Sequence, residues 1–221
     1  GLIAAMVLTA ASCPLMSTPA VGMVIGLDGA FLLLVLIAET FLVPLTLPVV
    51  SSALVDIPLS TFDLMGRLAA LVVSTFAAAV IAQRILGRAR IDAWRQPLHG
   101  VSVILLVGFA AGLMAGVPQA FRDNPDHVIF VTILSFAVYA GLQLAGAGVF
   151  AVVGRAMGRD WGRVKVLSAS FASGNRNLAI LIAVLLPAID PDTMLYFVVG
   201  QFPIYLMPAV WRQLAKRLLP A

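Results

Sequence analysis

The sequence predicts an all-α membrane protein, a multi-span helical bundle in which two helices are broken and stand as inverted repeats. Three observations predict it. Hydrophobic residues make up 62% of the 221 and charged residues only 11%, with a mean hydropathy of +1.06, a composition outside that of water-soluble domains. Apolar runs of about 20 residues, the length of helix that crosses a bilayer core, recur to the end of the chain. Two of these runs are interrupted by Pro, Gly, Ser and Asn, which stop a helix rather than continue it.

In chain order, residues 1–27 form an apolar but interrupted segment. Within it Pro14 and Pro19 each remove a backbone donor, and Ser17 and Thr18 are placed to cap what is freed. Continuous helices are expected over about 30–53, 62–86, 99–121, 127–155 and 193–215. The second interrupted segment is 165–188, where Ser173, Gly174, Asn175, Arg176 and Asn177 form a polar cluster inside an apolar span. That gives seven membrane segments. Gly1 is not an initiator methionine and the chain opens inside an apolar run, so the natural N-terminus is expected to be missing.

Charge sets the orientation. Arg84, Arg88, Arg90 and Arg95 form one basic group, Arg155, Arg159, Arg163 and Lys165 a second, and Arg212, Lys216 and Arg217 a third. With single spans between them, all three fall on one side. The opposite loops carry Asp56, Asp63, Asp123, Asp126, Asp190 and Asp192, with Arg122 as their basic residue. The positive-inside rule makes the Arg-rich side, including the C-terminus, cytoplasmic, in an integral protein of a bacterial inner membrane. Trp94, Trp161 and Trp211 sit beside the basic groups, as rings at one headgroup layer do. The stretch from Arg84 to His99 is expected as a surface amphipathic helix or a solvated loop. Basicity of this kind belongs to a membrane face, and nucleic-acid binding is excluded as a function.

Small residues predict helix contacts. Gly108, Gly112 and Gly116 recur every four residues, and Gly141, Ala145 and Gly148 follow one face of the next helix. Both strips are read as grooves for another helix of the chain, with homo-oligomerisation as the weaker alternative. The oligomeric state itself stays open.

Glu39 and Arg176 are the two ionisable residues far from any expected interface. A charge at mid-membrane costs about 2.5 to 3.5 kcal/mol on insertion scales and is normally turned to protein or water. The economical expectation is that the two meet between the interrupted segments, as a structural ion pair or as part of a transport site. Such irregular backbone is tolerated at membrane depth only where protein buries it or it lines a cavity. Paired interrupted segments in inverted repeats point to a secondary transporter's binding site. The two segments are the first and the sixth, and this odd offset of five inverts the second. The candidate substrate- or ion-binding residues are Glu39, Arg176, Asn175, Asn177, Ser173, Gly174, Ser17 and Thr18. Ser170, Gln143, Gln201 and Tyr205 are further candidates for a polar path, with interhelical hydrogen bonding as the other reading. Cys13 is either a small buried hydrophobe or a soft-ligand thiol of the kind an arsenite or metal carrier needs.

The Cys13-Pro14 break followed by Ser17-Thr18, the long helix with late prolines, and the Gly174-Asn175-Arg176-Asn177 break together resemble the bile acid:sodium symporter family. The resemblance covers nearly the whole chain and the last seven of that family's ten transmembrane helices. It implies two crossed, broken helices in a core domain, 1–61 and 126–221, which moves against a panel domain, 62–125. It also implies secondary-active transport of a small organic anion by alternating access. The family's second break reads Gly-Met-Gln-Asn, and here Gly174 and Asn177 match. Arg176 stands at the position of the sodium-binding Gln, and Ala172 at that of an acidic ligand. The Ser-Asn ligands of the first break fall on Pro19 and Ala20. A fixed guanidinium repels a cation, so Arg176 is expected to take the cation's place, with any coupling carried by protons through Glu39 or by another ion. No resident cofactor or metal is expected, and the partners are a small-molecule solute and the lipid bilayer. A non-transporting structural or sensory membrane protein is the competing reading. No HExxH or GxSxG motif is present, and an enzyme is not expected.

Overall fold

The computed structural model describes residues 1–55, 59–156, 162–186 and 189–218. Asp56, Arg159 and Trp161, and the side chains of Arg88, Arg95 and His99, lie outside that description. Helices account for nearly all of the described residues: α1 (Leu2–Ala11), α2 (Thr18–Val24), α3 (Gly29–Leu54), α4 (Thr61–Leu86), α5 (Arg88–Ala93), α6 (Arg95–Met114), α7 (Val117–Asp123), α8 (Pro125–Ala156), α9 (Gly162–Gly174), α10 (Leu178–Leu185), α11 (Pro191–Val199) and α12 (Gln201–Leu218). Four helical stretches, Gly29–Leu54, Thr61–Leu86, Pro125–Ala156 and Pro191–Leu218, are long and apolar enough to cross a membrane. Their outward faces carry bare apolar side chains such as Leu34, Phe41, Ile133 and Leu144, which suits lipid and not water. The molecule is in keeping with an all-α membrane protein.

Both interrupted segments are broken where the residues require it. α1 stops at Ala11 and α2 starts at Thr18, with Cys13-Pro14 in extended backbone between them. α9 stops at Gly174 and α10 starts at Leu178. α3, by contrast, runs through Pro44 and Pro48 without a break. Two expected helices are divided. Residues 99–121 split into α6 and α7 at Ala115-Gly116, just before Pro118 removes a donor. Residues 193–215 split at Gly200, where Pro203 cannot bond back to Val199 and Leu178 and the Tyr196 carbonyl press on the glycine. A short α5 within the stretch from Arg84 to His99 meets the expectation of a helix there.

The core gathers α1, α3, α4, α8, α10 and α11 around Leu47, Leu68, Tyr139, Leu181 and Tyr196, all sealed from solvent. α3, α9 and α12 form a second cluster around Leu32, Phe171 and Trp211. Trp211 is therefore not a headgroup ring: it is 6% exposed and meets Phe171 edge-on at 5.9 Å. Trp94, 60% exposed, keeps an interfacial position open to it.

The small-residue strips also fall differently from expectation. A Cβ built on Gly108, Gly112, Gly116, Gly141 or Gly148 would meet nothing within 4 Å, so neither strip is a groove for another described helix. The close approach is between α8 and α9 through other glycines. A Cβ on Gly146 would lie 2.6 Å from Ser173 Cβ, and one on Gly174 would lie 2.8 Å from the Tyr139 carbonyl oxygen and from Gln143 Cδ. Spacing shows that a strip exists, but the rotation of the helix decides which strip is used.

This contrast is testable. Gly174→Ala is expected to destabilise by about 1 to 3 kcal/mol, because a backbone oxygen cannot move aside. Gly112→Ala is expected to be neutral or to stabilise by up to about 1 kcal/mol through helix propensity. Thermal unfolding of the purified variants in one detergent distinguishes them, and equal behaviour would contradict this packing.

Candidate functional site: the crossing of two interrupted helices

The two breaks meet. Leu15 N donates to Asn175 O at 2.8 Å, and Asn177 N donates to Cys13 O at 2.8 Å. Pro14 and Arg176 thereby form an antiparallel bridge two hydrogen bonds wide. Each stretch would otherwise leave peptide groups unpaired where no water is at hand, at several kcal/mol per group. Each supplies what the other lacks.

Side chains complete the junction. Asn175 is 4% exposed and donates through Nδ2 to Thr18 Oγ1 at 2.8 Å, tying the second break to the start of α2. Asn177 caps α10, its Oδ1 accepting from Ile180 N at 3.4 Å. Ser17 occupies the N-cap position of α2 but makes no side-chain cap bond, and Thr18 turns its hydroxyl to Asn175 instead of to the helix. The expected capping by Ser17 and Thr18 is thus replaced by a bond between the two breaks. Pro19, in the first turn, has no N–H to cap.

Arg176 lies at the centre. Its Nε donates to Ser173 O at 2.6 Å, and its Nη1 donates both to Ser12 O at 2.6 Å and to Glu39 Oε2 at 2.7 Å. One guanidinium therefore joins the end of α9, the end of α1 and the middle of α3. The side chains are 11% exposed for Arg176 and 35% for Glu39. The sequence placed both charges at mid-span, and the fold sets them in contact. Two backbone carbonyls and a carboxylate around the guanidinium make an oxygen shell of the kind that would hold a small cation. Here the cation is covalently part of the chain.

The other candidates take supporting places. The Ser173 hydroxyl donates to Ala169 O within α9, and Gly174 lets Gln143 and Tyr139 approach. The Ser170 hydroxyl donates to Gln143 O at 2.5 Å, an α8–α9 tie. Gln201 bonds Phe197 O in the preceding turn, and Tyr205 is 46% exposed. These residues form no continuous polar path. Cys13 is 1% exposed and packed in the main core, as a small hydrophobe would be.

Three residues that position the site escaped the sequence reading. The Ser168 hydroxyl accepts from Asp28 N at 2.9 Å, anchoring the start of α3 to α9. Arg67 Nη1 donates to Val184 O at 3.3 Å, joining α4 to the end of α10. Thr193 Oγ1 donates to Gly1 O at 2.9 Å, joining α11 to α1. Ser168 and Thr193 carry no periodic signal, but Arg67, a second turn into an apolar span, was legible as a cation needing a partner. At the α11 start, burial pushes Asp190 up, but hydrogen bonds from the Thr193 hydroxyl and backbone outweigh it and hold the carboxyl below its usual value.

A cavity of about 150 Å³ opens between α3 and α4, lined by Pro48, Ser51, Ser52 and Thr61 among others. Among the described residues that line it none is charged, and it lies over two turns of α3 beyond Glu39. The buried ion pair is at the crossing.

Breaking the pair from its two sides is expected to differ. Arg176→Ala strands the Ser12 and Ser173 carbonyls together with a carboxylate, at about 3 to 5 kcal/mol. Glu39→Gln keeps a hydrogen-bond acceptor and leaves the carbonyl bonds in place, and it should cost clearly less. Unfolding midpoints in detergent check the order, and the reverse order would contradict this geometry. No protein-family model matches the chain, and no curated protein matches it, so the contacts at the crossing carry the functional reading.

Proposed function

We propose that this chain is a secondary-active membrane carrier that moves a small organic anion by alternating access, with an architecture similar to the bile acid:sodium symporters. One observation carries the reading: two interrupted helices are bonded to one another at their breaks by an antiparallel bridge, with an ion pair at its centre. Discontinuous helices facing each other across a repeat interface are how secondary transporters build their solute sites. In this reading α1–α2 and α9–α10 are the inverted pair. Residues 1–61 and 126–221 form the moving core, and 62–125 the panel. The Arg-rich helix ends and the C-terminus face the cytoplasm, in a bacterial inner membrane.

The anion preference follows from Arg176, the cation at the crossing, and from the planar fork that a guanidinium offers to carboxylate, sulfonate or phosphate groups. Sodium has no place beside it. The carbonyls of Ser12 and Ser173 and the Glu39 carboxylate already face a positive charge, and a second one would be repelled.

Reconstitution tests the reading. Proteoliposomes loaded with a mixture of organic carboxylates and sulfonates are expected to show counterflow of at least one labelled member. Replacing all sodium by potassium should change that rate by less than about twofold, since no ion is bound in place of Arg176. Arg176→Ala is expected to lose at least about tenfold of the counterflow, and Glu39→Gln to alter it. A wild type that moves no solute, or variants that both behave like it, would leave a structural bundle in place of a carrier.

A further inference from the structure

The crossing does not use up either charge. Arg176 commits Nε and Nη1 to Ser173 O, Ser12 O and Glu39, and Nη2 has no hydrogen-bond partner among the described residues. Glu39 engages Arg176 through Oε2, and its Oε1 likewise has no partner there. Resting on the carrier reading above, we propose that this pair couples anion to proton: an anionic group of the solute binds at Nη2 of Arg176 together with one proton on Glu39.

The argument is one of charge. With Glu39 ionised the pair is neutral, and an arriving anion meets a compensated guanidinium and a carboxylate that repels it. A proton on Glu39 removes that repulsion. It also converts the carboxyl from an acceptor into a group with an O–H to donate. The site then offers the N–H groups of Nη2 and the O–H of Glu39 to a single anionic group. Anion and proton together leave the net charge as it was in the empty site. Either one alone leaves a net charge at the crossing, which apolar surroundings disfavour. Each ligand therefore favours the other, and the favour is reciprocal.

Few other groups can take the proton. Among the described residues of the elements packed on α3, the Cys13 thiol shares the surroundings of Glu39 and Arg176. On α4, Phe76 meets Phe41, two residues from Glu39, and Asp63, Arg67 and Arg84 lie two or more turns from it along that helix. Arg163 and Lys165 stand in the first turn or so of α9, far from the break. From α8, Tyr139 lies buried near Arg176. Glu39 is the carboxylate in contact with the guanidinium.

The test uses camphorsulfonate, a monoanion whose own charge does not change between pH 8 and about pH 5.5, and reads binding to the purified protein by titration calorimetry. Buffers of different ionisation enthalpy give the proton count. The expected result is uptake of one proton per sulfonate bound, with affinity rising toward tenfold per unit fall in pH. Glu39→Gln is expected to bind with no proton uptake and no pH dependence. The wild-type count needs no variant, so a Glu39→Gln protein that fails to fold leaves the test intact. Binding without proton uptake, or uptake that persists in Glu39→Gln, overturns the coupling and leaves the carrier reading standing. Absence of sulfonate binding at pH 5.5 also overturns it, and the counterflow assay then shows whether the carrier reading falls as well.

Discussion

A peptide group without a partner is tolerable in water and ruinous in hydrocarbon, and this constraint organises the molecule. Proline at position 14 and the Gly174-Asn175-Arg176-Asn177 sequence each end a helix in mid-span. Each stop strands carbonyls and N–H groups among buried residues such as Ser12, Cys13 and Asn175, where they need protein partners. The structure answers by setting the two stops against each other, so that Cys13 and Leu15 exchange hydrogen bonds with Asn177 and Asn175. Neither break is stable by itself, and the crossing is thus a condition of folding as well as a candidate site.

Arg176 extends the same logic to charge. A guanidinium in this position is admissible because two carbonyls and one carboxylate face it, and Glu39 is admissible because Arg176 faces it. The pair ties α3 to both broken helices. Ser168 fixes the start of α3 to α9 through Asp28, and Thr193 fixes the start of α1 to α11. The crossing is pinned at its centre and steadied at both ends. The bonds that hold the crossing together leave Nη2 of Arg176 and Oε1 of Glu39 without a hydrogen-bond partner among the described residues.

Packing density is distributed to match. α8 and α9 approach most closely, through Gly146 and Gly174, and that contact holds the second break in register with the core. α6 is different: it touches little beyond α5 and α11, and its glycines face open space. The closest packing surrounds the crossing, and the sparsest is at α6, whereas α4 is packed into the main core.

Much of this was legible beforehand. Composition and run length determined that the chain is helical and lipid-facing, because hydrocarbon admits few alternatives. The Cys13-Pro14 stretch and the Gly-Asn cluster marked where two helices stop, although Pro44 and Pro48 leave α3 continuous. The need of Glu39 and Arg176 for partners was likewise intrinsic to their charge. The tertiary structure alone decided which partners were chosen. It turned Thr18 toward Asn175 and away from capping its own helix, buried Trp211 against Phe171, and used Gly146 and Gly174 in place of the more regular glycine strips. Those outcomes depend on how helices rotate and cross. That is set by the sum of many weak contacts between distant segments, and no local pattern in the chain encodes it.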